Sequence, residues 1–181
     1  MLRPILIHPD PRLKRPADPV VQVDAEVRGL MDDMLATMYA APGIGLAAPQ
    51  LGIGRRIVVM DCATREDVPP EPVFLVNPEL LWTSEEQVEQ EEGCLSIPDI
   101  YGPVTRPAAV RVRYLDRDGE VQERDWDGIR ARCVQHEIDH LKGRLFIDYL
   151  SPMRRQLITG KMKKLKRERA RKAAERQTAE G

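Results

Sequence analysis

The chain predicts an α+β fold with an antiparallel-dominated sheet, and three observations carry that prediction. A helical apolar period appears near the start, short β-type runs with one Asp-Gly hairpin fill the middle, and helical segments return after residue 127. Strands grouped between helices, rather than alternating with them, favour antiparallel pairing over parallel βαβ units.

The first 20 residues contain Pro4, Pro9, Pro11, Pro16 and Pro19. Proline fixes φ and steers the preceding residue away from the α region, so this segment is expected to run extended over the surface. A helix follows. Asp24 is a candidate N-cap, and Val27, Leu30, Met31, Met34, Leu35 and Met38 recur at helical spacing as one apolar stripe, closed by Gly43 after Pro42. Past the glycine-rich GIGLAAPQLGIG at 43–54, β-type runs at 56–60 and 73–76 flank a proline-marked loop at 68–72. Val110, Val112 and Tyr114 alternate with polar residues, and Asp118-Gly119 is a favoured hairpin turn before a second arm at 120–126. A second helix is expected from 127 or 128 to 142, with Gly143 at the C′ position and Leu145, Phe146, Ile147 and Tyr149 as a short apolar segment. After Pro152 a third helix begins. Its Met153, Leu157, Ile158, Met162 and Leu165 are expected to dock on the body before KRERARKAAER at 166–176 becomes wholly polar.

A chain of 181 residues suits one domain plus an extension, divided here into a body at 1–152 and an arm at 153–181. With 42% hydrophobic residues the body can build a core without disulfide staples, which sets aside disulfide scaffolds, collagen and wholesale disorder. The formal charge of -1 hides an asymmetry: residues 153–181 hold 11 basic and 3 acidic side chains, leaving 17 basic against 26 acidic in the body. Such an arm points to a polyanionic partner. The sequence offers neither a run of about 20 apolar residues nor the apolar centre of a secretory signal, so a cytoplasmic protein without membrane attachment is expected. Cys62, Cys94 and Cys133 are odd in number and widely spaced, unlike a disulfide framework.

Two of the three histidines, His136 and His140, stand at i, i+4 in QHEIDH on the expected second helix. Side chains so spaced share a helix face and can reach one metal ion, while Glu137 can face a metal-bound water, the HExxH arrangement. A salt-bridged, solvated helix face would give the same letters. A third ligand is needed: the downstream acids are Asp148, Glu168, Glu175 and Glu180, and upstream stands Cys94 in EEGCLS, whose thiolate would complete a Cys/His/His set. A free cysteine is more often a small buried hydrophobe, and Cys62 and Cys133 suit that reading better. In GIGLAAPQ at 43–50, Gly43 and Gly45 suit a loop pressed against a neighbour, and Gln50 offers an amide NH₂ for a developing oxyanion.

Together, GIGLAAPQ at 43–50, EGCLS at 92–96 and QHEIDHLKG at 135–143 closely resemble the three signature motifs of the peptide deformylases, and LIHPDPRL and RLFIDYLSP extend the likeness over most of residues 1–152. The resemblance implies antiparallel strands around a central HExxH helix with a C-terminal helix of the bacterial type. It implies that Cys94, His136 and His140 are the metal ligands, with Fe²⁺ as the usual metal and Zn²⁺, Ni²⁺ or Co²⁺ as replacements. It further implies hydrolysis of the N-formyl group on the initiator methionine of nascent polypeptides, with release of formate. Glu137 would be general base and acid, and Gln50 with the backbone N–H of Leu95 would hold the oxyanion. Ile44, Gly45 and Gly93 would lie at the substrate, which would add as an extended strand. Glu92, Asp139 and Arg106 are candidates for fixing the ligands, or else a structural ion-pair group. Arg132 either borders the pocket or faces solvent, and Asp99 leaves substrate preference beyond methionine open.

Two other readings remain at this level. An HExxH zinc endopeptidase would cut internal amide bonds, and a structural-metal RNA-binding protein would leave Glu137 incidental. For the basic arm the resemblance and its charge agree on docking to ribosomal RNA near the exit tunnel, against the plainer reading of a solvated helix end. A monomer is expected.

Overall fold

The computed structural model describes residues 1–63 and 67–179. Glu180, counted above among the arm's acids, lies outside the described residues. In chain order the elements are α1 (Ala25–Ala40), β1 (Gly45–Ala47), β2 (Ile57–Met60), β3 (Val73–Thr83), β4 (Gln87–Cys94), β5 (Ile97–Pro107), β6 (Ala109–Leu115), β7 (Val121–Asp127), α2 (Gly128–Leu141) and α3 (Pro152–Ala179). Short 3₁₀ turns stand at Pro11–Lys14, Ala48–Leu51 and Phe146–Tyr149. A five-stranded sheet in the order β1-β2-β3-β6-β7 and a two-stranded sheet β4-β5 are both wholly antiparallel, as the α+β reading requires.

Period-two alternation explains how the larger sheet is sandwiched. Val58 and Met60 face α2, packing with Leu75, Val110 and Val112 against Ala131, Val134, Ile138 and Leu141. Their neighbours Ile57 and Val59 point the other way, onto Val27, Leu30, Met31, Met34 and Met38 of α1. A strand with both faces covered is apolar throughout, which is why all four residues of β2 are buried. Each such side chain contributes about 1.5–3 kcal/mol relative to exposure. The cap of α1 is as expected: the Asp24 carboxylate accepts from the Val27 N–H at 2.9 Å. The Asp118-Gly119 hairpin also forms, with Gly119 at φ 81 and seven register pairs joining β6 to β7.

Three local expectations are corrected. The proline-rich start does not merely skirt the surface: Leu13 is wholly buried, and backbone bonds stitch the segment across the body, from Leu6 N–H to Gln50 O, His8 N–H to Ser96 O and Ala17 N–H to Leu141 O. Proline removes local donors, so this segment satisfies its remaining ones on distant elements. β4 and β5 have no counterpart in the expected strands. β4 is Glu- and Gln-rich, and its one fully buried side chain is the charged Glu92, so no apolar alternation announces it. On α3, Ile158 and Met162 are buried and Leu165 is half-buried, but Met153 and Leu157 are 74% and 62% exposed. The docking stripe is only one residue wide, and those two fall outside it.

The helix α2 ends as anticipated, with Gly143 at φ 74 and its N–H bonded to His140 O at 3.1 Å. A side chain there would strike the Lys14 carbonyl, so glycine is required both for conformation and for the close approach of the N-terminal segment. None of the described helices is long and apolar enough to cross a membrane.

The attachment of α3 depends in part on His8, whose Nε2 lies 2.8 Å from Thr159 Oγ1. Burial, helped by nearby Lys14, lowers its pKa to about 4. Because the folded state holds this proton less readily than the unfolded one, the stabilisation is complete above about pH 6.5 and is lost as the pH falls towards 4. Replacing His8 by Gln is expected to flatten the slope of stability against pH in that window by about 1–3 kcal/mol, measured by urea unfolding at pH 7 and pH 4.5.

Candidate metal centre

The middle of α2 brings His136 and His140 onto the face turned towards the β4-β5 turn. Their rings lie 5.0 Å apart in an edge-on arrangement, as i, i+4 neighbours should. Across from them β4 ends at Cys94, and its Sγ lies 3.3 Å from His140 Nε2. One ligand atom from each of Cys94, His136 and His140 lies within 4.8 Å of the others. Among the described residues, no downstream acid offered as an alternative joins this group: Asp148 instead pairs with Lys14 and caps the Leu145 N–H. One sulfur and two imidazole nitrogens converging in this way are a donor set for a borderline transition metal. Burial and the neighbouring His136 push His140 well below its ordinary pKa, leaving the neutral imidazole that coordinates.

The His136 imidazole is oriented by its surroundings. His136 Nδ1 lies 2.9 Å from Glu92 Oε1, which turns Nε2 towards Cys94 and His140. Glu92 in turn is held by Arg106 through Nε at 2.5 Å and Nη2 at 2.9 Å, and by Arg132 Nη1 at 2.6 Å. Burial opposes its ionisation, but Arg106 and His136 outweigh that and hold Glu92 at about 2. Arg106 also reaches Asp139 at 2.8 Å, and Tyr149 donates to the same Asp139 oxygen at 2.7 Å. So Glu92, Arg106 and Asp139 do form one group, and Arg132 faces inward, also bonding the Val104 and Val88 carbonyls.

Glu137 projects from α2 between the histidines and β1. It is 4% exposed, its Oε2 has no hydrogen-bond partner among the described residues, and burial pushes its carboxyl up to about 7. Gly45 makes room for it: a Cβ there would lie 2.5 Å from Glu137 Oε1 and 2.8 Å from Cys133 Sγ. Gln50 approaches from the 3₁₀ turn after β1. Its Oε1 accepts from the Ala47 N–H at 2.9 Å, which fixes the amide so that Nε2 faces Ser96 Oγ at 3.1 Å and Cys94 Sγ at 3.5 Å. Leu95 lies in the β4-β5 turn, with its side chain against Gly43. Gly93 sits beneath Tyr101, its register partner on β5, where a Cβ would meet the ring at 2.6 Å.

Gly45, Gln50, Cys94, Leu95, His136 and Glu137 line one cavity of about 970 Å³, walled also by Ile44, Cys133, Asp99 and Tyr101. Ile44 is 38% exposed at the rim. Cys133 is not among the three donors; it flanks them beside Gly45, while Cys62 packs behind it. Ser96 is not among the residues the sequence proposes for the site, and Tyr149 is expected there only as part of an apolar segment. Ser96 is the S of EGCLS and Tyr149 lies within RLFIDYLSP, so both sat inside quoted motifs, but a hydroxyl carries no spacing signal of its own.

The family model for polypeptide deformylase matches residues 2–156. Peptide deformylases from Methylocella silvestris and Mesorhizobium japonicum are 58% and 54% identical, over 90% and 93% of this chain and 84% and 96% of their own lengths. Among solved structures, the peptide deformylase of Ehrlichia chaffeensis superposes with a TM-score of 0.89 at 39% identity, covering 94% of this chain and 99% of that one. That of Legionella pneumophila gives 0.86 at 44% identity, with the same shares.

Removing Arg106 would leave Glu92 and Asp139 as buried charges without their shared partner. Arg106→Leu is therefore expected to destabilise the protein by about 3–5 kcal/mol, read from denaturant midpoints. Gly45→Ala places a methyl group on Glu137 and Cys133, and should abolish activity with a smaller loss of melting temperature than Arg106→Leu, as measured by calorimetry alongside turnover.

Proposed function

The chain belongs to the polypeptide deformylase family, and from that premise we propose that it is a metal-dependent hydrolase that removes the N-formyl group from the initiator methionine of nascent polypeptides in the cytoplasm, releasing formate. The observation that supports this most is the unpartnered, buried oxygen of Glu137 lying beside a Cys94/His136/His140 donor set with the Gln50 amide across from it.

Cys94, His136 and His140 would hold one divalent ion, Fe²⁺ by preference and Zn²⁺, Ni²⁺ or Co²⁺ as replacements. Bound there, it supplies a Lewis acid and brings the pKa of a water down to about 7. The remaining steps belong to the chain. Glu137 takes the proton of the attacking water on its carboxylate and returns it to the leaving amine. A carboxyl raised to about 7 by burial is suited to both halves of that exchange. The Gln50 Nε2–H and the Leu95 backbone N–H donate to the formyl oxygen as charge gathers on it, each contributing about 2.7–4 kcal/mol. Gln50 is prepared for this because Ala47 already occupies its Oε1, so the amide cannot flip without losing that bond. Ile44, Gly45 and Gly93 border the substrate, whose backbone would lie along the Gly43–Gly45 edge as an added strand. The methionine side chain would enter the apolar part of the cavity near Ile129 and Cys133.

The basic arm of α3 would hold the enzyme, as a monomer, on ribosomal RNA near the exit tunnel. From Lys166 to Thr178 it presents exposed side chains of Lys, Arg, Gln, Glu and Ala, free of the core that holds Ile158 and Met162. Counterion release makes such binding steeply salt-dependent.

Glu137→Gln is expected to lower formate release from formyl-Met-Ala by about 10²–10⁴-fold with metal content unchanged. Retained activity would defeat the proposed role, as would cleavage of an acetyl-blocked internal peptide in place of the formyl substrate. Truncation after Lys166 spares Met162 and Leu165, so co-sedimentation with ribosomes should fall while hydrolysis of formyl-Met-Ala stays intact.

A further inference from the structure

The strand edge that would receive the peptide stands between two cavities. Gly43 and Ile44 line the main cavity on one side and, on the other, a hollow of about 320 Å³ walled also by Tyr39, Pro42, Asp61 and Pro70. An edge bordered by open space on both flanks gains less from close packing, so hydrogen bonds carry more of its positioning. Asp61 supplies them. Its N–H donates to the Ile44 carbonyl at 2.8 Å, one step beyond the register pair Gly45 with Met60 that opens the β1-β2 ladder. Antiparallel pairs alternate between bonded and unbonded, so Ile44 turns its carbonyl to β2, while Gly45 turns its N–H and C=O the opposite way, to the edge a peptide would join.

The Asp61 carboxylate fixes that donor in turn. It is buried, its Oδ2 accepts from the Tyr39 hydroxyl at 2.5 Å and the Glu71 N–H at 3.0 Å, and its Oδ1 accepts from the Ala63 N–H at 3.0 Å. Tyr39 belongs to the last turn of α1, which runs on into the edge with the Gly43 N–H bonded to the Met38 carbonyl at 2.8 Å. One carboxylate thus ties α1, the end of β2 and the segment before β3 together behind Ile44. Burial and Asp61 push the Tyr39 phenol up to about 12, so it remains a donor at neutral pH.

We propose that Asp61 and Tyr39 are positioning residues for the hydrolysis, which hold the Ile44–Gly45 edge in the place where the peptide adds as a strand. Neither lines the main cavity, so both act through the edge, and their loss falls on substrate binding rather than on the Glu137 proton transfer. This role rests on the proposed deformylase activity, whereas the anchoring of the edge does not.

The test uses the full chain loaded with Ni²⁺. Tyr39→Phe removes the hydroxyl alone and leaves Asp61 its two backbone donors, so this variant is expected to fold. Its KM for formyl-Met-Ala-Ser should rise about threefold to tenfold, with kcat within about twofold of the wild type. Asp61→Asn, whose amide nitrogen cannot accept, should raise KM further. In parallel, amide hydrogen exchange over residues 42–46 should quicken about tenfold in Tyr39→Phe, with exchange over α2 as in the wild type. An unchanged KM, or a fall in kcat at constant KM, overturns the positioning role. Unchanged exchange over residues 42–46 overturns the anchor. No formate release from the wild-type chain would fail the functional reading itself, and faster exchange in the variant would then still support the anchor.

Discussion

A buried arginine holds this site together. Arg106 on β5 bonds Glu92 on β4 and Asp139 on α2, so one guanidinium joins both strands of the small sheet to the helix that carries the histidines. Charges taken out of water are costly unless each is paired and hydrogen-bonded, and here the pairing is extensive. Arg132 and His136 share Glu92, Tyr149 shares Asp139, and the Arg106 guanidinium lies 5.0 Å from the Tyr149 ring centre. The orientation of His136 is one end of this chain of contacts, and the position of Cys94 at the end of β4 is another.

Close approach is the second constraint. β1 must pass directly over Glu137 for the Gln50 amide to face Cys94, and Gly45 is the position where the two meet. The residues on either side of the cavity thus come from unrelated parts of the chain: a turn after β1, the end of β4 and the middle of α2. What brings them together is the apolar packing of α2 on Val58, Met60, Leu75, Val110 and Val112, which sets the helix against the larger sheet before any polar contact is counted.

Legibility followed periodicity. α1, the β6-β7 hairpin and α2 with its Gly143 stop were readable because apolar spacing and turn chemistry are local signals. β4 was not readable, since Gln87, Glu89, Gln90 and Glu91 are exposed polar residues and its buried member is Glu92. On α3 the same rule over-reached, as Met153 and Leu157 fit a loose helical period but lie outside the stripe that meets the body. The proline-rich start shows the complementary failure. Its local conformation was foreseeable in outline, but the partners of Leu6, His8 and Ala17 stand some 40 to more than 120 residues away along the chain and leave no trace in neighbouring letters.

From the amino-acid order alone came the α+β class, the basic arm, and a short set of chemically apt residues, because HExxH spacing, glycine placement and charge are properties of nearby positions. Which of those residues meet was decided by the folded chain. Cys94 rather than Asp148 joined the two histidines, and Arg132 turned inward. Contacts between distant segments depend on how whole elements pack, and packing is the balance of many weak apolar contacts that no short motif encodes.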